Sequence, residues 1–239
     1  MNTLIMLKKL SILAAGVCIT SVSLTTTVHA IVIGNSPGLN SGNCFPFNCL
    51  NGTRYQQVYN ADLFSDAVVI DEISFFNTEY LRVSNIIDTA TYEVYLSTTA
   101  KAVNALDTVN FSSNVGTDNS LFFKGKLGGT IIGKTFSISA QSSFLYNPSK
   151  GNLLLDIFKT NSLGEGSGFL DARNGTFGND SSRAHNFGTG FTSYGLVTEF
   201  RTHPISVPEP TSITGLLAFA ALGAGLTLKD KQHKAIARV

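Results

Sequence analysis

The chain has 239 residues, enough for one ordinary domain with tails, and only 14% of them are charged, well under the ~25% of typical globular proteins. Its net charge of +1 is unevenly spread: residues 31–207 carry 11 Lys and Arg against 14 Asp and Glu, a balance of −3, while both ends are basic. Phosphate binding needs a basic stripe, which this middle lacks, so nucleic acid is excluded as a partner.

The N-terminus reads as a secretory signal. Lys8 and Lys9 precede an apolar run from Leu10 to Leu24, and Thr25-Thr26-Thr27 leads to Val28-His29-Ala30, with small residues where signal peptidase cuts after Ala30. Cys18 falls inside this discarded segment, and Val17 before it does not fit a lipoprotein signal. Residues 31–53 are rich in Gly and Asn and read as an irregular lead-in. Cys44 and Cys49 sit five apart there, and in an exported chain that spacing predicts a local disulfide. Two thiolates alone do not complete a zinc site, so no metal is assigned to them.

The next segment, 54–205, is β in pattern throughout. Tyr92, Val94 and Leu96 alternate with Thr91, Glu93, Tyr95 and Ser97, and Phe136 and Ile138 alternate with Thr135, Ser137 and Ser139, the period of half-buried strands. Further strands are predicted over Tyr55–Tyr59, Val68–Phe76, Leu121–Lys126, Leu153–Phe158 and Leu196–Arg201, with a short helix over Ala100–Leu106. Gly and Asn punctuate these runs at Asn51-Gly52, Gly128-Gly129, Asn152, Gly164, Asn174-Gly175 and Gly188. Short strands between such turns predict an all-β fold, an antiparallel β-sandwich of jelly-roll type. No internal period supports a β-helix.

Catalytic anchors are absent from this middle. There is no G-x-S-x-G, H-E-x-x-H or P-loop, and its two histidines, His185 and His203, read as a solvated loop residue and a linker-edge residue. Glu72, Glu79, Glu93, Glu165 and Glu199 could supply a glycosidase pair, but Glu93 and Glu199 read better as polar faces of strands. Asp118-Asn119, Asp171-Ala172-Arg173-Asn174 and Asn179-Asp180 are oxygen-rich loops of the kind that hold Ca²⁺, without the spaced calcium-loop pattern. The sequence therefore predicts no catalytic residue and no obligatory cofactor. A structural or adhesive module is the leading expectation. A carbohydrate-binding module presenting Tyr55, Tyr59, Tyr80 or Tyr95 to sugar rings is the alternative, weakened by the absence of Trp, and a glycoside hydrolase ranks below both.

After a linker over 206–212, Ile213 to Leu228 is a charge-free run of 16 residues. As a helix it spans about 24 Å against a hydrocarbon core of about 30 Å, short for a lasting anchor. Lys229, Lys231, Lys234 and Arg238 follow, a basic cluster that holds residues 229–239 in the cytoplasm. Pro208-Glu209-Pro210, the small-residue apolar helix and the basic end, in that order behind an export signal, resemble the PEP-CTERM sorting signal over about residues 206–235. The resemblance implies that an exosortase-type membrane protease reads Pro208, Glu209 and Pro210 as substrate residues. It further implies a transient single-pass membrane stage in a Gram-negative-type bacterium, then release to the envelope or an exopolysaccharide matrix.

Overall fold

The computed structural model describes residues 27–34, 41–48, 53–78, 86–87, 89–127, 129–130, 135–160, 169–174, 179–186 and 194–205. The expected signal segment through residue 26 and the expected linker and tail from residue 206 lie outside these. Among the described residues no helix is long and apolar enough to cross a membrane.

The described chain is all-β and antiparallel. Its strands are β1 (His29–Ile33), β2 (Ser41–Asn43), β3 (Arg54–Tyr59), β4 (Val68–Phe76), β5 (Ile86–Ile87), β6 (Thr91–Thr99), β7 (Ser120–Lys126), β8 (Gly129–Thr130), β9 (Thr135–Tyr146), β10 (Asn152–Thr160), β11 (Leu170–Asn174), β12 (Ser181–His185), β13 (Tyr194–Leu196) and β14 (Thr198–Pro204). They form a four-stranded sheet ordered β1-β14-β4-β9, a five-stranded sheet ordered β12-β3-β10-β6-β7, and two small sheets, β13-β11-β2 and β5-β8. Three single 3₁₀ turns, at Ala61–Leu63, Phe111–Asn114 and Pro148–Lys150, are the only helical pieces described. The expected helix over Ala100–Leu106 does not form: Asn104 sits at φ 67°, a left-handed conformation that an α-helix does not admit.

Alternation decides which side chains meet. In β4, β14 and β9, Ile70, Ile73, Phe75, Phe200, Ile138 and Tyr146 point one way; in β3, β6 and β10, so do Tyr55, Tyr59, Tyr92, Val94, Leu96, Leu153, Leu155 and Ile157. All belong to one buried cluster drawn from both larger sheets. Tyr59 meets Phe200 edge-on with centroids 4.9 Å apart, and its hydroxyl lies 2.9 Å from Thr198 Oγ1. At one margin the sheets are joined by a side chain that imitates a peptide group. The Gln141 amide, from the irregular stretch of β9, accepts from Lys124 N and donates to Lys124 O, each at 3.0 Å.

Three stretches differ from the sequence reading. The lead-in over 31–53 supplies β1, β2 and two core residues, Ile33 and Phe47, instead of staying irregular. Asp171-Ala172-Arg173-Asn174 is strand β11 and no loop. Asp171 is buried and accepts from Thr78 N at 2.9 Å and from the Thr78 hydroxyl, so its carboxylate is spent on the fold. The stretch around His185 is strand β12, where His185 is 4% exposed and stacks on Phe45 with centroids 4.7 Å apart.

β1 and β14 run antiparallel, pairing His29 with Thr202 and Ile33 with Thr198. The described chain therefore begins and ends at one pole of the four-stranded sheet, where Val68 pairs with Pro204 and the 60–67 connection arrives from Tyr59.

Candidate functional site

Both faces of the five-stranded sheet are covered. On β3, Tyr55, Gln57 and Tyr59 face the shared core, while Arg54, Gln56 and Val58 face outward, yet the strand is buried along almost all its length. The cover on the outer side is the 100–119 connection between β6 and β7. It packs Val103, Leu106, Phe111 and Val115 on Val58, Leu154 and Ala184.

Hydrogen bonds set the position of this connection. Gln56 donates to Phe111 O at 3.1 Å and accepts from Asn114 Nδ2 at 2.8 Å, while Asn114 also accepts from Asp107 N at 2.8 Å. The backbone N–H groups of Asn110 and Val109 hold the Asp107 carboxyl below its usual range. Where the connection returns to β7, Thr98 N donates to Asp118 Oδ1 at 2.7 Å and Gly116 N to Ser97 Oγ at 3.2 Å. A Cβ on Gly116 would fall 1.8 Å from Thr98 O, a backbone atom that has nowhere to go. Gly116→Ala is expected to push the connection off the sheet and cost about 1–3 kcal/mol, the range of overpacking; urea unfolding of variant and parent checks it, and an unchanged midpoint would refute the close approach.

The connection does not seal the whole outer face. Beside it lies a cleft of about 480 Å³ lined by Arg54, Glu93, Tyr95, Ser112, Val115, Asn119, Asp156 and Phe158. Register explains the grouping: Arg54 pairs with Phe158, Phe158 with Glu93, and Asp156 with Tyr95, so residues on one face of three neighbouring strands converge. Arg54 Nε and Nη2 donate to the two oxygens of Asp156 at 3.0 and 2.6 Å, a bidentate pair whose carboxylate is 2% exposed. The guanidinium lies over the Phe158 ring at 4.3 Å, and Tyr95 meets Phe158 edge-on at 5.8 Å. Tyr95 donates its hydroxyl to Glu93 Oε2 at 2.9 Å, and Lys124 Nζ stands 2.6 Å from Glu93 Oε1. Lys124 first, and Tyr95 second, hold the Glu93 carboxyl below its usual range, and burial with the Glu93 contact pushes the Tyr95 hydroxyl up.

Of the sequence-predicted sugar-facing tyrosines among the described residues, only Tyr95 reaches this cleft. Tyr55 and Tyr59 are buried in the core, and burial pushes the Tyr59 hydroxyl well above its usual range; Tyr80 lies outside the described residues. Glu72 bonds Ser139 and stands 3.5 Å from Arg201, and His203 Nδ1 lies 2.6 Å from Asp71 Oδ2, both on the four-stranded sheet and away from the cleft. Among the described residues no group of three or more His, Cys, Asp or Glu is placed to hold a metal ion. Asp118, read as part of an oxygen-rich loop, caps Thr98 N instead.

The residues expected to direct export and sorting fall at or beyond the margins of the described residues. Ala30 is exposed in β1 opposite Arg201, and residues 27–30 are exposed while packing begins at Ile31. Cys44 is disulfide-bonded; Cys49, its expected partner, lies outside the described residues, as do Pro208, Glu209, Pro210, Lys229, Lys231, Lys234 and Arg238. Sequence reasoning missed Arg54, Asp156 and Phe158. The signal for one of them was present, because an aspartate inside the apolar run Leu153-Leu154-Leu155-Asp156-Ile157-Phe158 requires a buried partner. No family model matches the chain, and no curated protein or solved structure matches it either.

Proposed function

We propose that the chain is an exported envelope or matrix protein, delivered by a PEP-CTERM tail to an exosortase-type protease. In this reading the two larger sheets stack as a jelly-roll-like β-sandwich that serves as a structural or adhesive module without catalysis. The observation that carries the reading is the pairing of β1 with β14, which brings the export end and the sorting end of the domain to one pole. A domain with its signal segment and its apolar tail at the same pole can keep both in one bilayer while it folds outside. The onset of packing at Ile31 supports signal peptidase cleavage after Ala30, since residues 27–30 just before that bond are exposed. A Cys44–Cys49 disulfide would suit the same oxidising compartment.

The cleft argues for binding over hydrolysis. A glycosidase needs one carboxyl that stays protonated near neutral pH beside another that is ionised. Here both oxygens of Asp156 already accept from Arg54, and Glu93 is held on the ionised side by Lys124. Glu93 is not prepared to donate a proton to a leaving group, and Asp156 has both oxygens engaged by Arg54.

The sorting reading is tested on the tail. Proline fixes its own φ and disfavours helix in the residue before it, so a Pro-Glu-Pro sequence favours the extended form that a protease reads. Replacing Pro208-Glu209-Pro210 by Gly-Ser-Gly, in a host that carries the sorting protease, is expected to leave the protein full-length in the inner membrane while the parent loses its tail. Mass determination on membrane and released fractions reads the outcome. Equal processing of both would sink the sorting reading.

A further inference from the structure

We infer that the cleft between the outer face of β3, β10 and β6 and the 111–119 segment binds an uncharged saccharide, engaging one or two pyranose units of a hydroxyl-rich polymer. The inference rests on reading the domain as an adhesive module of a matrix protein. It assigns the ligand's chemical class and the residues that meet it.

Charge speaks first. The ionic groups that line the cleft are paired within the protein: Arg54 with Asp156, and Glu93 with Lys124 beside it. The lining therefore offers no unpaired ion to select a uronate, a phosphate or an amine. The pairs still keep hydrogen-bonding capacity. Each Glu93 oxygen has a second lone pair beyond those used by Tyr95 and Lys124, and the guanidinium has N–H groups beyond the two given to Asp156. Asn119 and Ser112, both exposed, add donors and acceptors at the rim. Hydroxyl groups, which donate and accept from the same atom, match such a mixed lining.

Shape and rigidity point the same way. Tyr95 gives the lining an apolar ring of the kind that meets the C–H face of a pyranose, backed edge-on by Phe158. Tyr95 is held by its hydroxyl to Glu93, Phe158 by the guanidinium above it, and Arg54 by two bonds to Asp156. Little ordering entropy is left to lose when a ligand arrives. The volume of about 480 Å³ lies in the range of small-molecule sites and holds short saccharide units without enclosing a chain, as a polymer passing through requires.

The test uses the full chain in detergent micelles. Gluco- and galacto-oligosaccharides of two to four units, with the matching oligouronates as the acidic arm, are titrated by isothermal calorimetry. A neutral oligomer is expected to bind, with the matching uronate at least about ten-fold weaker. Tyr95→Ala is expected to weaken binding about ten-fold or more. The exposed-rim double variant Ser112→Ala/Asn119→Ala should weaken it several-fold with an unchanged melting temperature, and Leu145→Ala, exposed on the other sheet, should change nothing. Absence of binding across the panel, preference for uronates, or full affinity in both cleft variants would overturn the inference. Because tail processing is read separately by mass, loss of sugar binding with normal processing strikes this inference alone, and normal binding with unprocessed tail strikes the sorting reading alone.

Discussion

Arg54→Met is expected to destabilise the domain by about 3–5 kcal/mol, the cost of leaving a buried ion without its partner. Asp156 is 2% exposed, and the guanidinium supplies both of the side-chain donors described for its carboxylate. Methionine can cover Phe158 with a thioether of similar length, so the loss isolates the missing charge and its two N–H bonds from the missing packing. The double variant Arg54→Met/Asp156→Leu removes the stranded carboxylate and should recover most of the stability, since a buried ion pair and an apolar pair of equal volume are often close in free energy. Urea unfolding of the parent, both single variants and the double variant gives the cycle. A single variant within about 1 kcal/mol of the parent would mean that water reaches Asp156. By contrast Lys124, an exposed partner of Glu93, should change the midpoint little when replaced by Met.

Phe47→Ala should cost about as much, about 3–5 kcal/mol, because the ring is fully buried and its loss opens a cavity among side chains from both larger sheets. Its neighbours are Phe75, Tyr92 and Phe136, with centroids at 5.1, 5.5 and 5.1 Å, and its carbonyl accepts from the Tyr92 hydroxyl at 3.0 Å. The comparison that matters is with the cysteines. A disulfide closing the short Cys44–Cys49 loop contributes about 2 kcal/mol on the chain-entropy account. If Phe47 is what fastens this segment, Phe47→Ala must lower the unfolding midpoint more than Cys44→Ser/Cys49→Ser does. The opposite order would make the covalent link the principal fastener.

Much of the fold was legible because its central strands obey a period of two. Val68–Phe76 was readable to the residue, and β3, β6, β7 and β10 to within one or two, since each is a short apolar-rich run bounded by turn residues, with strict alternation clearest in β6. β1, β2, β11 and β12 were not legible. Ser181–His185 contains one aliphatic side chain, yet most of it is buried, because the sheet edge is overlain by neighbouring segments that no local pattern announces. Phe47 lies among Gly, Asn and Pro, and only the tertiary structure makes it a core residue. The candidate site was unreadable for a related reason: Arg54 and Asp156 are 102 residues apart, and their meeting depends on β3 and β10 being neighbours in a fixed register. Tyr95 was legible as a candidate aromatic, whereas Tyr55 and Tyr59, equally plausible in sequence, face the opposite way.

The place of β14 within its sheet bears on how the protein carries mechanical load. A module held by its C-terminal end while gripping a polymer is pulled along β14, which lies between β1 and β4 rather than at an edge. Tension along that strand shears two ladders together, five residue pairs on the β1 side and seven on the β4 side, so their hydrogen bonds resist in parallel instead of parting one after another. Cleavage after Ala30 would leave Ile31, Val32 and Ile33 on the first ladder and the whole of the second. From β14 the force passes through Phe200 and Thr198 to Tyr59, at the near end of β3. Arg54 is five residues farther along the same strand, about 17 Å from that point, so on the proposed reading grip and tether would lie toward opposite ends of the module with a packed core between them.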